Sequence, residues 1–224
     1  MPIAFGNQTG IYSGTAGATS QTIAFTAALG ADVFVAISTN TSVSRTLTSI
    51  AYGGVGMTLV GRVGHGSAFP GTFGNTYLYR SAGGGSGAAK NVTFTFNAGT
   101  QQVGNIFSYT GVASVGTAVT SFATSTSPSV GPISCSAGDL IVGVIGNGTA
   151  TNVSYITGTS PTGAARYTVN AASNYGYIAA PYESTTSGVT FGSTSFGNTG
   201  WGAIAVVLTP SESAAPTNQF FQMF

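Results

Sequence analysis

Apolar and polar residues alternate at every second position along most of this chain, which is the period of strands and not of helices. The segment Asn91-Val-Thr-Phe-Thr-Phe96 is the cleanest case, with Val92, Phe94 and Phe96 on one face and Thr93 and Thr95 on the other. A strand patterned in this way lies in a sheet with one face on a core and the other in water. Similar short runs, rich in β-branched and aromatic residues, span 22–26, 32–38, 46–52, 57–63, 75–80 and 103–110. In the second half they span 129–135, 139–145, 153–157, 165–169, 176–182, 188–191 and 201–208. Gly53-Gly54, Asn147-Gly148 and Gly83-Gly-Gly85 punctuate them. No window of helical length carries apolar residues at i, i+3, i+4 and i+7. The stretch 112–128 is Ser/Thr-rich, but Val115, Val119 and Phe122 alternate in part, so it reads either as a connector or as a further strand.

The two halves of the pattern resemble each other. Residues 21–38 read QTIAFTAALGADVFVAIS, and residues 128–145 read PSVGPISCSAGDLIVGVI. Each is a strand, a small-residue turn, an aspartate and then a nearly all-apolar strand. Further on, NTYLYRS, KNVTFTFN and VGNIFSYTGV correspond to YGYIAAPYE, SGVTFGST and WGAIAVVLTP. These repeats predict an all-β fold: a jelly-roll-like antiparallel β-sandwich built from two similar Greek-key halves, about 21–111 and 128–209, in one domain over 1–210. Two separate small sandwiches are the alternative. Asp32 and Asp139 recur before the most apolar strand of each half, where an aspartate is expected to accept backbone N–H bonds at a turn.

Composition narrows the function. The 224 residues carry five Lys+Arg and four Asp+Glu, so charged residues are 4% of the chain against roughly 25% in ordinary domains. Gly, Ser and Thr together make up 93 of the 224. A net charge of +1 without a basic cluster argues against nucleic acid as a partner, because phosphates call for Lys and Arg. No run of 18 apolar residues exists, so no membrane-spanning helix is expected, and Met1–Gly6 has neither the basic nor the long apolar region of a signal peptide. The sequence reads as a chain assembled in a cytoplasm. Cys135 is the only cysteine and is expected to be a small buried hydrophobe.

Little in the chain suggests chemistry. His65, the only histidine, sits in Val63-Gly-His-Gly-Ser67, which reads as a flexible loop. No Gly-x-Ser-x-Gly stands in a strand-to-helix context, so a serine-hydrolase elbow is missing. One His, one Cys and four carboxylates make a poor donor set for zinc or calcium. The run Gly83-Gly-Gly-Ser-Gly87 lacks the Lys-Ser/Thr of a phosphate loop and reads as flexible. No catalytic, metal or cofactor residues are assigned, and no cofactor is expected. Tyr155, Tyr167, Tyr175, Tyr177 and Tyr182 cluster in sequence, and Trp201 opens the last strand. Tyr175, Tyr177, Tyr182 and Trp201 are the candidate glycan contacts, if their rings are exposed; the competing reading has such rings covering a core. After Thr209-Pro210 comes a linker, and the chain finishes Thr217-Asn-Gln-Phe-Phe-Gln-Met-Phe224. Within the linker and tail of 211–224, Phe220, Phe221, Met223 and Phe224 are expected to dock on a neighbouring subunit.

Three stretches carry a family likeness: Ile50-Ala-Tyr-Gly-Gly-Val-Gly-Met-Thr-Leu-Val60, Ser136-Ala-Gly-Asp-Leu-Ile-Val-Gly-Val144 and Trp201-Gly-Ala-Ile-Ala-Val-Val-Leu-Thr-Pro210. Together they resemble a β-sandwich module of tailed-bacteriophage structural proteins, over roughly residues 20–210. The resemblance implies a virion component, either capsid decoration or tail, with no catalytic residues. Its expected partners are its own copies, as a homotrimer, and the major capsid protein, with neither nucleic acid nor membrane bound. Few charges mean little repulsion between copies, which suits a protein that lives in an assembly. The alternative function is a carbohydrate-binding or adhesin module of a phage tail or cell surface.

Overall fold

The computed structural model describes residues 1–13, 18–40, 45–147, 168–170, 177–192 and 199–211; at 13, 168–170, 177, 179 and 199 it describes the backbone alone. The described residues form strands and turns and no helix, as the two-residue period requires. The first half holds β1 (Ala4–Ser13), β2 (Ser20–Thr26), β3 (Asp32–Asn40), β4 (Leu47–Tyr52), β5 (Val55–Gly56), β6 (Thr58–Gly64), β7 (Asn75–Ser81), β8 (Ala89–Phe96) and β9 (Gln101–Thr110). The second half holds β10 (Val112–Val115), β11 (Val119–Ser125), β12 (Ser129–Ile133), β13 (Leu140–Asn147), β14 (Thr168–Asn170), β15 (Tyr177–Ser184), β16 (Val189–Gly192) and β17 (Thr199–Pro210). The stretch 112–128, which reads two ways in sequence, therefore contains two strands.

Every pairing is antiparallel, and the strands form four sheets. The first half makes an outer sheet, β2-β8-β4-β5, and an inner sheet, β1-β9-β3-β7-β6. The second makes an inner sheet, β10-β17-β13-β15-β14 with β11 also on β17, and an outer pair, β12-β16. The halves repeat the same connections. β3 lies between β9 and β7 as β13 lies between β17 and β15, and β2 pairs β8 as β12 pairs β16.

The apolar side chains do not close on a single core, as the expected one-sandwich arrangement would have them do. They form three cores between four layers, because the inner strands are apolar on both faces. Successive strand residues point to opposite sides of a sheet. On β3, Val33, Val35 and Ile37 face the first outer sheet, while Phe34 and Ala36 face the second half. On β13, Val142 and Val144 face the first half, while Ile141 and Ile145 face β12 and β16. The seam between the two inner sheets is the middle core, joining Phe34, Leu78 and Phe107 to Val144, Ile204 and Val206. Side-chain hydrogen bonds between described residues cross it. Ser38 Oγ donates to the Asn147 carbonyl (3.2 Å), Thr76 Oγ1 to the Gly202 carbonyl (3.2 Å), Asn105 Nδ2 to the Ala180 carbonyl (2.7 Å) and the Tyr109 hydroxyl to Glu183 Oε1 (2.6 Å). A buried hydroxyl or amide is costly without a partner, so these bonds let polar groups enter an apolar seam and fix its register.

The first outer sheet turns a face of small uncharged residues outward. Thr22 lies opposite Thr93, and Thr95 lies between Ser20 and Ser49. The glycine run after β7 is not a flexible loop. It locks onto the β2–β3 turn through Gly30 N to Gly85 O, Gly85 N to Ala31 O and Gly87 N to Ala27 O, each 2.9 Å. A Cβ at Gly85 would stand 2.0 Å from the Ala28 carbonyl oxygen, so this close approach requires glycine.

Candidate functional site

The aromatic residues expected as glycan contacts go to the core where their side chains are described. Trp201 begins the buried part of β17 on the side that faces β12 and β16. It is 3% exposed, and its indole Nε1 donates to Ser125 Oγ at 3.0 Å. Tyr182 is 4% exposed, with its ring 5.7 Å from that of Phe191. A sugar stacks on an open ring face, and neither residue offers one. Both rings instead fill the space between β17, β15 and the small outer sheet, which two short strands alone would leave underpacked. Tyr175 lies outside the described residues, and Tyr177 is placed by its backbone alone. Phe220, Phe221, Met223 and Phe224 also lie outside the described residues.

His65 corrects its loop reading. It follows β6 directly and is fully buried at the seam. The chain folds tightly around it, with His65 N bonded to the Gly74 carbonyl (2.9 Å) and Gly71 so near that a Cβ there would meet His65 N at 2.2 Å. Nε2 is 2.8 Å from Thr76 Oγ1, and Nδ1 is buried without a partner. Thr76 spends its proton on the Gly202 carbonyl, so Nε2 carries the imidazole proton and Nδ1 is a bare acceptor. Burial lowers the His65 pKa to about 3, against a weak upward pull from the Phe73 carbonyl. A neutral imidazole sealed from solvent beside one threonine has no substrate to reach, so it does structural work here. Burial likewise pushes Tyr77 up to about 12, which keeps its hydroxyl a neutral donor to the Arg45 carbonyl at 3.4 Å.

The two recurring aspartates do what their turn positions imply. Asp139 Oδ2 accepts Ser136 N at 2.9 Å. Asp32 accepts Gly83 N through Oδ1 (2.7 Å) and Arg80 Nε through Oδ2 (2.6 Å), and so ties the start of β3 to the end of β7. Asp32→Ala is expected to lower stability by about 3 kcal/mol, read from the urea midpoint, because it strands both donors. Asp32→Asn keeps an acceptor for Gly83 and is expected to cost about half as much. Cys135 is half-buried, with Sγ pointing to the Thr185 carbonyl at 3.7 Å.

The described residues bring no three of His, Cys, Asp and Glu together as a metal site. They do form one groove that the sequence did not suggest. It holds about 210 Å³ at the edge of the seam, between Thr58, Leu59, Val60 and Arg80 of the first half and Val115 and Gly116 of the second. Its walls lie far apart in sequence, so only the packing of β6 against the β10–β11 corner reveals it. Comparison of the chain with protein-family models, with curated proteins and with solved structures finds no match.

Proposed function

We propose that this chain is a non-enzymatic structural protein of a tailed-bacteriophage particle, a decoration or cement protein that sits as a homotrimer on the major capsid protein. The observation that carries the reading is how the chain uses its charges. The three described carboxylates, Asp32, Asp139 and Glu183, are each committed to a bond inside the fold, and the outward face of the first outer sheet carries Thr, Ser and Ala instead of charged residues. A surface of that kind neither repels its copies nor gathers a polyanion, and it suits a tile that is held by neighbours. The interleaved order of the strands, repeated in both halves, fits the jelly-roll likeness on which the virion reading rests. Residues 217–224, with Phe220, Phe221, Met223 and Phe224, are the proposed anchor to the neighbouring subunit.

The test is purification of particles from an infected host. Several hundred copies per virion, lost when residues 217–224 are deleted, is the expected result. A handful of copies would make it a tail component, and absence from particles would end the proposal. If deletion changes neither oligomeric state nor particle binding, the tail is not the anchor.

A further inference from the structure

We propose that the groove between β6 and the β10–β11 corner seats one phenylalanine ring from residues 217–224 of a neighbouring copy. The inference rests on the reading of those residues as the anchor and adds where they bind. Leu59, Val60 and Val115 give the groove apolar walls, and Val60 and Val115 also pack on the middle core, so the groove is the open rim of that core. It holds about 210 Å³. An apolar cavity of about 150 Å³ takes up benzene, so this one has room for a single phenyl ring. Arg80 forms part of the wall, with its Nε held by Asp32 Oδ2 at 2.6 Å. Its charge is matched inside the fold, so the groove needs no acidic ligand, and the pinned guanidinium favours an aromatic ring beside it.

The strand edge beside the groove is open as well. β10 and β11 follow one another along β17 and pair with no other strand among the described residues. β11 buries none of its residues, carries neither charge nor proline, and leaves Val119 and Phe122 each 43% exposed. An unguarded edge of this kind is a template for a second chain. An extended segment can bond to such an edge through its main chain while a side chain enters the adjoining pocket. The path of the chain favours a neighbour's segment over its own. β17 passes the groove at Val207 and Leu208, which lie against Gly116 and Val115, and then runs on to Ser211, whose N–H is fixed to the Gly111 carbonyl at 2.7 Å. A return to its own groove would have to begin in Glu212-Ser-Ala-Ala-Pro216, which has no Gly or Asn to reverse on and whose proline biases Ala215 to extended backbone. Extended, those five residues instead carry the aromatic segment about 16 Å outward.

The test starts from the full chain in sedimentation velocity, which should show an oligomer that dissociates when residues 217–224 are deleted. Ala82→Trp fills the groove from an exposed position on its wall, and Leu59→Asp places a charge in it. Each is expected to weaken association about tenfold or more, with the circular dichroism of the strands unchanged. Of Phe220→Ala, Phe221→Ala and Phe224→Ala, one should match that loss and the others fall short of it, because one ring is seated. Gln222→benzoylphenylalanine leaves every apolar side chain of the segment in place. On irradiation it should give a covalent dimer linked at residues 58–60, 80–82 or 115–116. A native chain with no oligomer, or an oligomer that survives the deletion, would overturn the anchor reading and the seat with it. Dissociation by the deletion but by neither groove variant would keep the anchor and overturn the groove. A cross-link closed within one chain would overturn docking between copies.

Discussion

Gly146→Ala is expected to destabilise the whole chain by about 3 kcal/mol or more while leaving unfolding a single transition. Gly146 lies on β13 and faces the first half across the seam. A Cβ there would stand 2.2 Å from Thr76 Oγ1 and 2.9 Å from Ser38 Oγ. Both hydroxyls bond across the seam, and Thr76 also holds Nε2 of the His65 ring, so one methyl group disturbs three buried polar groups together. The inner sheets cannot separate to make room, because each would expose one wall of the middle core. Urea unfolding followed by Trp201 fluorescence reports the second half, and hydrogen exchange of the β3 amides reports the first. The two midpoints should fall together. If the second half melts at lower urea while β3 stays protected, the halves are independent sandwiches and the seam is a loose contact. Adding Thr76→Ala should recover part of the loss, about 1 kcal/mol, by removing the clashing hydroxyl. Gly30→Ala is the contrast: φ there is 72° with nothing within 4 Å of the added methyl, so only backbone strain of about 1 kcal/mol is expected.

The repeat and most strands were legible because a two-residue period survives any choice of partner. What the sequence hid were the features set by packing between distant strands. Ala4–Ser13, with Gly6, Asn7 and Gly10, is absent from the strands the pattern predicts, yet it forms β1 because it borders β9, with an irregularity between Phe5 and Gln8 that absorbs the misfit. Gly64 and Gly66 around His65 look like hinges in sequence. In the fold, Gly64, Gly71 and Gly74 are glycines because another backbone runs against each of them, and the same holds for Gly85. Glycine marks both looseness and close approach, and only the neighbouring strand tells which. The all-apolar runs after Asp32 and Asp139 did carry the message that these strands are buried on both sides. One sandwich has no place for such strands, whereas two sandwiches back to back do. Trp201 invites a glycan role by being the only tryptophan, and its neighbours Ser125 and Ala123 on the adjoining β11 could not be known before the pairing was.

The second large effect is a loss of stability in mild acid that traces to one residue. His65 is neutral in the fold, with its pKa lowered to about 3 by burial, whereas an unfolded histidine titrates near 6.5. Above pH 6.5 neither state binds the proton, and the contribution is constant. Between 6.5 and about 3 the unfolded chain takes up a proton that the folded chain refuses, so stability falls as pH falls. The whole loss approaches about 5 kcal/mol, since every tenfold difference in proton affinity between the two states is worth about 1.36 kcal/mol. Only the Phe73 carbonyl works against the loss, and it is outweighed by burial; the other described groups near His65, namely Thr76, the Gly74 backbone and the glycines at 200 and 202, carry no charge. His65→Gln keeps a side chain that can donate to Thr76 and cannot titrate. Its stability measured between pH 8 and pH 4 should be nearly flat where that of the native chain drops, and the two curves should cross, because the variant is the less stable at pH 8. Parallel curves would mean that the acid limb belongs to the carboxylates, and the sealed imidazole would then be a packing unit with no hold on the pH range of the fold.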